Sequence, residues 1–240
     1  MSASCSVFGL GVPPHDVFVK GKRQPKAGFV VRFVFEQTCG SGELKLPPDP
    51  FNDFRHSAQI AVRFVQGKGW WGTSRNVHLT PSLAPNGGTP ALSGESYGLA
   101  LLLGLAKVSC GSLFPGDAAA TSVAACDLSG VAATGTLDHG AIKVGTVEYF
   151  VEKVKALLEH AERLGISTLI VSRDQPDCFA PELAPFCRRR RGAPDEAPFF
   201  YEIENSKTRR LHRVLVLRVA SADAAIDELR RAQDANAVAL

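Results

Sequence analysis

The sequence predicts a single α/β (α+β) domain, with mixed sheets and packed helices. Three observations carry this expectation. Runs of β-branched and aromatic residues alternate with helix-patterned runs through the C-terminal half. The Pro-, Gly- and Ser-rich stretches are flanked by strands of one pattern, so they read as loops and not as domain linkers. No internal repeat occurs, and 240 residues with 45% hydrophobic and 21% charged side chains suit one globular domain with a real core.

The elements follow in order. Residues 1–27 read as an N-terminal extension, and residues 28–240 as the domain. GFVVRFVF (28–35) is β-branched and aromatic, and predicts a strand; residues 43–46 predict a shorter one. In residues 52–65, Phe54, Ala58, Ala61, Val62 and Val65 recur at helical spacing, with Asn52 or Asp53 as the expected N-cap. RNVHLT (75–80) predicts a strand, followed by a long loop. From Ser96 onward, YGLALLLGLAKVS predicts a helix so apolar that most of its sides must be buried. Residues 110–129 read as an irregular surface insertion. VAATG (131–135) and AIKV (141–144) read as short strands, and 146–164 as the longest helix, capped by Gly165. STLIVS (167–172) reads as a strand. Residues 173–208 read as a second insertion, Pro-rich and Cys-containing. RVLVLRV (213–219) completes the strands, and a helix from Ala222 to Ala232 is capped by Ser221.

Composition narrows the function. The apolar fraction excludes disordered, collagen-like and coiled-coil classes. No run of about 18 apolar residues is present, so no membrane span is expected. The N-terminal residues lack the charged start and long apolar run of a signal peptide, and a cytoplasmic location is expected. The net charge of +3 is mild, and nucleic acid is not an expected partner. The run Arg188–Arg191 reads either as a solvated loop or as a site for an anionic partner. Six cysteines without a CxxC pair exclude a structural zinc site and read as thiols; Cys178 and Cys187 are the one local pair that a disulfide could join. No metal and no cofactor is expected. No GxxxxGK[ST] loop occurs, so the chain carries no P-loop ATPase.

One motif carries chemistry. Gly94-Glu95-Ser96-Tyr97-Gly98 is a GxSxG match that places a serine at the first turn of a buried helix, after a glycine-rich loop. Backbone N–H groups and the helix dipole then point to where an oxyanion would form. Ser96 can equally serve as a helix N-cap. An α/β-hydrolase elbow needs a buried strand running into the serine, and Asn86–Ser93, with its Pro and two Gly, does not provide one. Asp174 and His212 nonetheless follow in the hydrolase order.

A second likeness covers more of the chain. Gly94, Ser96 and Gly98 match the glycine-rich serine motif of the Lon proteolytic domain, with Glu95 and Tyr97 replacing its usual Pro and Ala. Ala133–Leu137 resembles its T-G turn, Gly140–Thr146 its G-x-V-x-P-V-G-G segment, and Ala161–Ser172 its A-x-x-x-G-I run. SAQIAVRFV (57–65) resembles its first helix, and Arg75–Leu79 its R-D-I-H-V strand. The chain therefore resembles a Lon-type proteolytic domain over roughly residues 28–232, standing without its motor.

The resemblance implies a serine–lysine dyad. A serine hydroxyl needs a neighbouring base, and a lysine serves once burial lowers its pKa. The lysine expected near the start of the long helix is Lys153, which lies between two registers that point to Phe150 and Leu157. Lys155 lies on another face and Lys143 on the preceding strand. Lys153 can also be a surface lysine paired with a glutamate. Thr134 is implied as a hydrogen-bonding partner of the lysine amine, and His78 as a strand histidine near the site. Glu95, beside the nucleophile, would oppose a developing oxyanion or keep a lysine protonated. Tyr97 would narrow the substrate groove.

Three functions are compatible with this pattern. One is an ATP-independent endopeptidase acting on flexible or unfolded protein. Another is a catalytically inactive relative acting as an assembly module. The third is an esterase using His212. The resemblance further implies a homo-oligomeric ring and a partner ATPase.

Overall fold

A computed structural model describes residues 3–14, 18–19, 22–23, 26–72, 74–110, 118–189, 197–205 and 209–238. The chain opens with β1 (Ser4–Gly11), the short ladder β2 (Phe18–Val19) and β3 (Lys22–Arg23), β4 (Phe29–Cys39), β5 (Leu44–Lys45), α1 (Asn52–Gly67) and β6 (Arg75–Ala84). A 3-10 turn, Glu95–Tyr97, leads into α2 (Gly98–Cys110), which is followed by α3 (Ala118–Ala125). Then come β7 (Val131–Thr134), β8 (Thr136–Leu137), β9 (Val144–Gly145), α4 (Phe150–Leu164) and β10 (Thr168–Ser172). After a 3-10 turn at Pro176–Phe179 come β11 (Cys187–Arg188), β12 (Phe199–Glu204), β13 (Leu211–Val219) and α5 (Ala222–Val238).

The described strands form a nine-stranded mixed sheet in the order β11-β12-β13-β10-β7-β1-β4-β6-β5. Strands β13, β10, β7 and β1 run parallel, while β4 and β12 turn back antiparallel on either side of them. The period-2 pattern of the central strands divides their side chains between two cores. Val7, Val31, Phe33, Phe35, Ile170 and Leu217 face α1, α2, α3 and α5. Phe8, Leu10, Val30, Leu169, Val171 and Val216 face α4. Runs that are apolar at successive positions, such as VAAT in β7, are buried on both faces. The α/β expectation holds, as does the nearly all-round burial of α2.

Several expectations need correction. Residues 1–27 are not an extension alone, because β1 lies at the centre of the sheet, paired over eight residues with β4 and in parallel with β7. The sequence VFGLGV hid this strand behind its two glycines. Residues 110–129 are not a surface insertion throughout: Ala120, Val123, Cys126 and Leu128 belong to the α2–α5 core, while 111–117 lie outside the described residues. Within 173–208, β12 and the edge strand β11 extend the sheet, with Phe199 and Tyr201 buried on α4's side; 190–196 and 206–208 lie outside the described residues. The strand expected at 141–144 shrinks to β9, because Ala141 sits in a left-handed turn at φ 51°. The longest helix of the prediction begins at Phe150 and not at 146, and Gly165 caps it at φ 68° as expected.

Phe51, and not Asn52 or Asp53, occupies the N-cap position of α1. Ser221 does cap α5, accepting the Ala224 amide at 3.1 Å. None of the six cysteines is joined in a disulfide, Cys178 and Cys187 included. Burial pushes the Cys5 and Cys178 thiols up to about 12. Of the arginine run, Arg188 pairs with Glu202 at 3.1 Å and Arg189 stacks over Phe179 at 4.7 Å; Arg190 and Arg191 lie outside the described residues. No described helix is long and apolar enough to cross a membrane.

Candidate active site

The parallel strands β1 and β7 end at the same edge of the sheet, where α/β folds commonly open a crevice. Here the chain leaves β1 through Val12, Pro13 and Pro14, and these residues line a cleft of about 740 Å³. Ser96 and Lys153 both line it.

The serine turn is built by its glycines. Gly94 adopts φ 90°, a conformation that side chains disfavour. Gly98 allows α2 to approach β8, since a Cβ there would stand 3.1 Å from Leu137. Four groups hold the turn from outside. Asp53 accepts the amides of Gly94 and Phe54. Ser57, buried on α1, donates to the Glu95 carbonyl at 3.5 Å. Thr134 donates its hydroxyl to the Ser96 carbonyl at 3.3 Å, and the Gly135 amide donates to the same oxygen at 3.0 Å. Ser96 is 7% exposed, and its hydroxyl donates to the Leu10 carbonyl at 3.4 Å. The amides of Glu95 and Ser96 open the helical turn, where N–H groups have no partner within the helix.

Lys153 sits in the first turns of α4. Helical Cα–Cβ bonds tilt toward the N-terminus, so its side chain reaches back toward the cleft. It is 3% exposed and is the one charged side chain among the described buried residues. It has no hydrogen bond or ion pair from its amine among the described residues. Burial lowers its pKa from 10.5 to about 8, and Glu148 and Glu152 oppose the shift. About one-tenth of such a lysine is free amine at pH 7, against less than one-thousandth for an ordinary one. The competing lysines are excluded by position: Lys155 is exposed, and Lys143 pairs with Asp174 at 3.4 Å on the surface.

Two residues that set Lys153 in place were not legible in the sequence. Gly28 packs against the backbone of α4 at Glu152 and Lys153 so closely that any Cβ would overlap it. Gln175, 2% exposed, accepts the Val147 amide at 2.8 Å and donates to the Val147 carbonyl at 3.3 Å. It pins the segment that enters α4, which passes through Tyr149 in a left-handed conformation at φ 53°. A glutamine in a turn carries no pattern that distinguishes it, and a glycine opening a strand reads as a weak strand end.

The other predicted residues are placed differently from expectation. Thr134 holds the serine backbone and has no hydrogen bond to Lys153 among the described residues. His78 is exposed on β6, opposite Glu36 of β4, and does not line the cleft. Glu95 does line it, exposed beside Ser96, and is not among the charges acting on Lys153. Tyr97 does not narrow the groove: it is fully buried, edge-on to Phe33 at 5.5 Å and Phe54 at 5.8 Å. Glycines at positions 9 and 11 leave room for its ring. Its hydroxyl has no hydrogen bond among the described residues, and burial with the Asp53 charge keeps it protonated. His212 contacts the Ile166 carbonyl at 2.7 Å, near the opposite ends of the parallel strands, which leaves the serine without a histidine from that position. The described residues hold no cluster of three or more His, Cys, Asp or Glu suited to a metal ion.

No protein-family model matches the chain, and a search of curated proteins finds no match.

Proposed function

We propose that this chain is an ATP-independent serine endopeptidase, resembling the Lon proteolytic domain, that cleaves flexible or unfolded polypeptide with a Ser96–Lys153 dyad. The supporting observation is a convergence. The serine chosen by its motif and the lysine chosen by its place on a helix line one cleft, and that lysine is the one charged group buried among the described residues.

The chemistry follows from these groups. Ser96 Oγ attacks the peptide carbonyl carbon while its proton passes to the neutral Lys153 amine. The oxyanion forms where the first amides of the helical turn point. The C–N bond then breaks, and Lys153 returns the proton to the departing amine. Water, deprotonated by Lys153, releases the acyl group and restores the serine. The step requires the Ser96 hydroxyl to rotate from the Leu10 carbonyl toward Lys153.

That rotation also marks the second reading. The hydroxyl is engaged by Leu10, and no hydrogen bond joins Ser96 to Lys153. This observation favours an inactive relative that serves as an assembly or interaction module. By the same resemblance, the proposal includes a homo-oligomeric ring and a partner ATPase that supplies substrate. A cytoplasmic setting belongs to it too, since six cysteines without a disulfide suit a reducing compartment.

A serine-directed fluorophosphonate, read by intact mass, separates the readings. The peptidase reading expects one adduct on the wild-type chain and none on a folded Ser96→Ala variant. Absence of labelling between pH 7 and 9.5, with casein left intact, overturns it in favour of the module.

A further inference from the structure

The side of the sheet that α4 packs on is only partly covered. Phe8 of β1, Arg32 of β4 and Ser82 of β6 stand in register across three strands, so all three project on that side. Ser6, two residues before Phe8, joins them by the period of the strand. Phe8 is buried against α4's core, but Arg32 is exposed and Ser6 and Ser82 are half-buried. These residues line a cavity of about 410 Å³, together with Ser129 from the loop before β7 and Arg163 from the last turn of α4. The cavity shares no lining residue with the Ser96 cleft.

Its charge is of one sign. The lining holds two guanidiniums and no carboxylate. Neither arginine forms an ion pair with a described residue. Arg32 donates to Ser6 Oγ at 3.4 Å, and Arg163 lies 3.3 Å from His160 Nδ1. An arginine on a solvated sheet gains from an acid directly across the ladder, yet Arg32 faces Phe8 and Ser82. The adjoining cavity, of about 420 Å³, shares Ser6, Arg32 and Ser129 and adds a third cation, Lys107, whose amine donates to the Ala124 carbonyl. Its one acid, Asp127, is engaged within its own loop, accepting the Ser129 amide at 2.9 Å and hydroxyl at 3.0 Å. The hydroxyl protons of Ser6 and Ser82 have no acceptor among the described residues.

Two guanidiniums and two hydroxyl donors without a competing carboxylate suit a phosphate monoester, a dianion with three strong acceptor oxygens. A single carboxylate would satisfy one guanidinium fork and leave the other unmatched. A nucleic-acid strand would need an exposed aromatic platform, and the one aromatic residue of the lining, Phe8, is buried. We propose that this cavity binds a phosphate monoester, carried by a small sugar phosphate or by a phosphorylated peptide, with Arg32 and Arg163 on its oxygens and Ser6 and Ser82 donating to it. The proposal stands apart from the peptidase reading and survives its failure.

Isothermal titration calorimetry of the full chain tests it. The probes are ribose 5-phosphate and an end-capped Gly-Ser-Gly peptide phosphorylated on its serine, each compared with its unphosphorylated form. At least one phosphorylated probe is expected to bind about ten-fold or more tighter than its counterpart, less so as salt is raised. Arg32→Gln and Arg163→Gln, both at exposed positions, are each expected to weaken that binding about ten-fold. Arg32→Lys, which keeps the charge and loses the fork, should fall between. Lys155→Gln removes the same charge from an exposed position on α4 outside both cavities, and should leave affinity within about two-fold. Circular dichroism verifies that each variant is folded. Tighter binding of the sugar phosphate supports the proposal with a free metabolite as the source; tighter binding of the phosphopeptide supports it with a phosphorylated protein. Failure of both probes to bind overturns it. Equal weakening by Lys155→Gln also overturns it, because the attraction would then belong to the basic surface at large.

Discussion

Replacing Lys153 with methionine tests the site through stability alone. The substitution keeps the length and apolar stem of the side chain and removes the amine. In the folded protein the pKa is about 8, against 10.5 for an unperturbed lysine. That fall, at about 1.36 kcal/mol for each tenfold change in proton affinity, makes burying the ammonium cost about 3 kcal/mol. The sign follows from proton counts. Between pH 8 and 10.5 the unfolded chain binds a proton at Lys153 that the folded chain does not, so this group's contribution rises with pH. Its penalty is complete below pH 8 and gone above 10.5. Lys153→Met should therefore be more stable than wild type at pH 7, by up to about 3 kcal/mol, and the gap should close toward pH 10.5. The buried thiols shift stability the other way in this window, because burial raises their folded pKa. They are common to both proteins and cancel in the difference. Urea denaturation of both at pH 6, 7, 8, 9 and 10, monitored by circular dichroism, gives the required gap. A gap that stays constant across this range would mean that the ammonium is not desolvated, and the argument for a lysine base would fall with it.

Three further outcomes follow from the same geometry. The wild-type kcat/KM for a neutral peptide should rise with one proton lost near pH 8, as the Lys153 amine forms; a rise that levels near pH 6.5 would indicate a histidine instead. Gly94→Ala, forcing a side chain to φ 90°, should cost about 1–3 kcal/mol in urea denaturation and reduce labelling of Ser96; unchanged labelling would show that the turn does not set the serine. Gln175→Leu removes two hydrogen bonds to Val147 and should cost about 1–3 kcal/mol while lowering kcat more than it raises KM. A variant that remains fully folded at the assay temperature, with kcat unchanged and only KM raised, would mean that the Val147 segment does not position Lys153.

Much of the fold was legible because it rests on strong periodic signals. The run around Phe29–Phe35 is β-branched and alternates, and the run from Gly98 to Cys110 is too apolar to lie on a surface. The failures share a cause. β1 was missed because Gly9 and Gly11 weaken its local strand preference, although both serve tertiary packing by leaving space for Tyr97. α3 was missed because AAATSVAA has no polar face to create a period, and its burial comes from α2 and α5. β12 was missed because its partner, β13, lies beyond residues that read as loop.

The site divides along the same line. That Ser96 and Lys153 share a cleft was legible because each sits in a local pattern, a glycine-flanked turn and a helix start. The residues that aim them were not, because Gln175, Gly28 and Ser57 act only through distant backbone. His78 and Thr134 show the reverse error, where a motif position carried a role that the three-dimensional arrangement does not assign to it. The energetics sharpen what remains. A buried ammonium that Glu148 and Glu152 only partly offset costs about 3 kcal/mol, a large share of the roughly 5–15 kcal/mol that stabilises a domain. Methionine or leucine would fill the same space in α4 without that cost, as the neighbouring Val154 and Leu157 fill theirs. The amine makes no hydrogen bond or ion pair among the described residues, so a structural role gives no reason for it. A role as a base does, because the same burial that destabilises the cation is what supplies free amine near neutral pH.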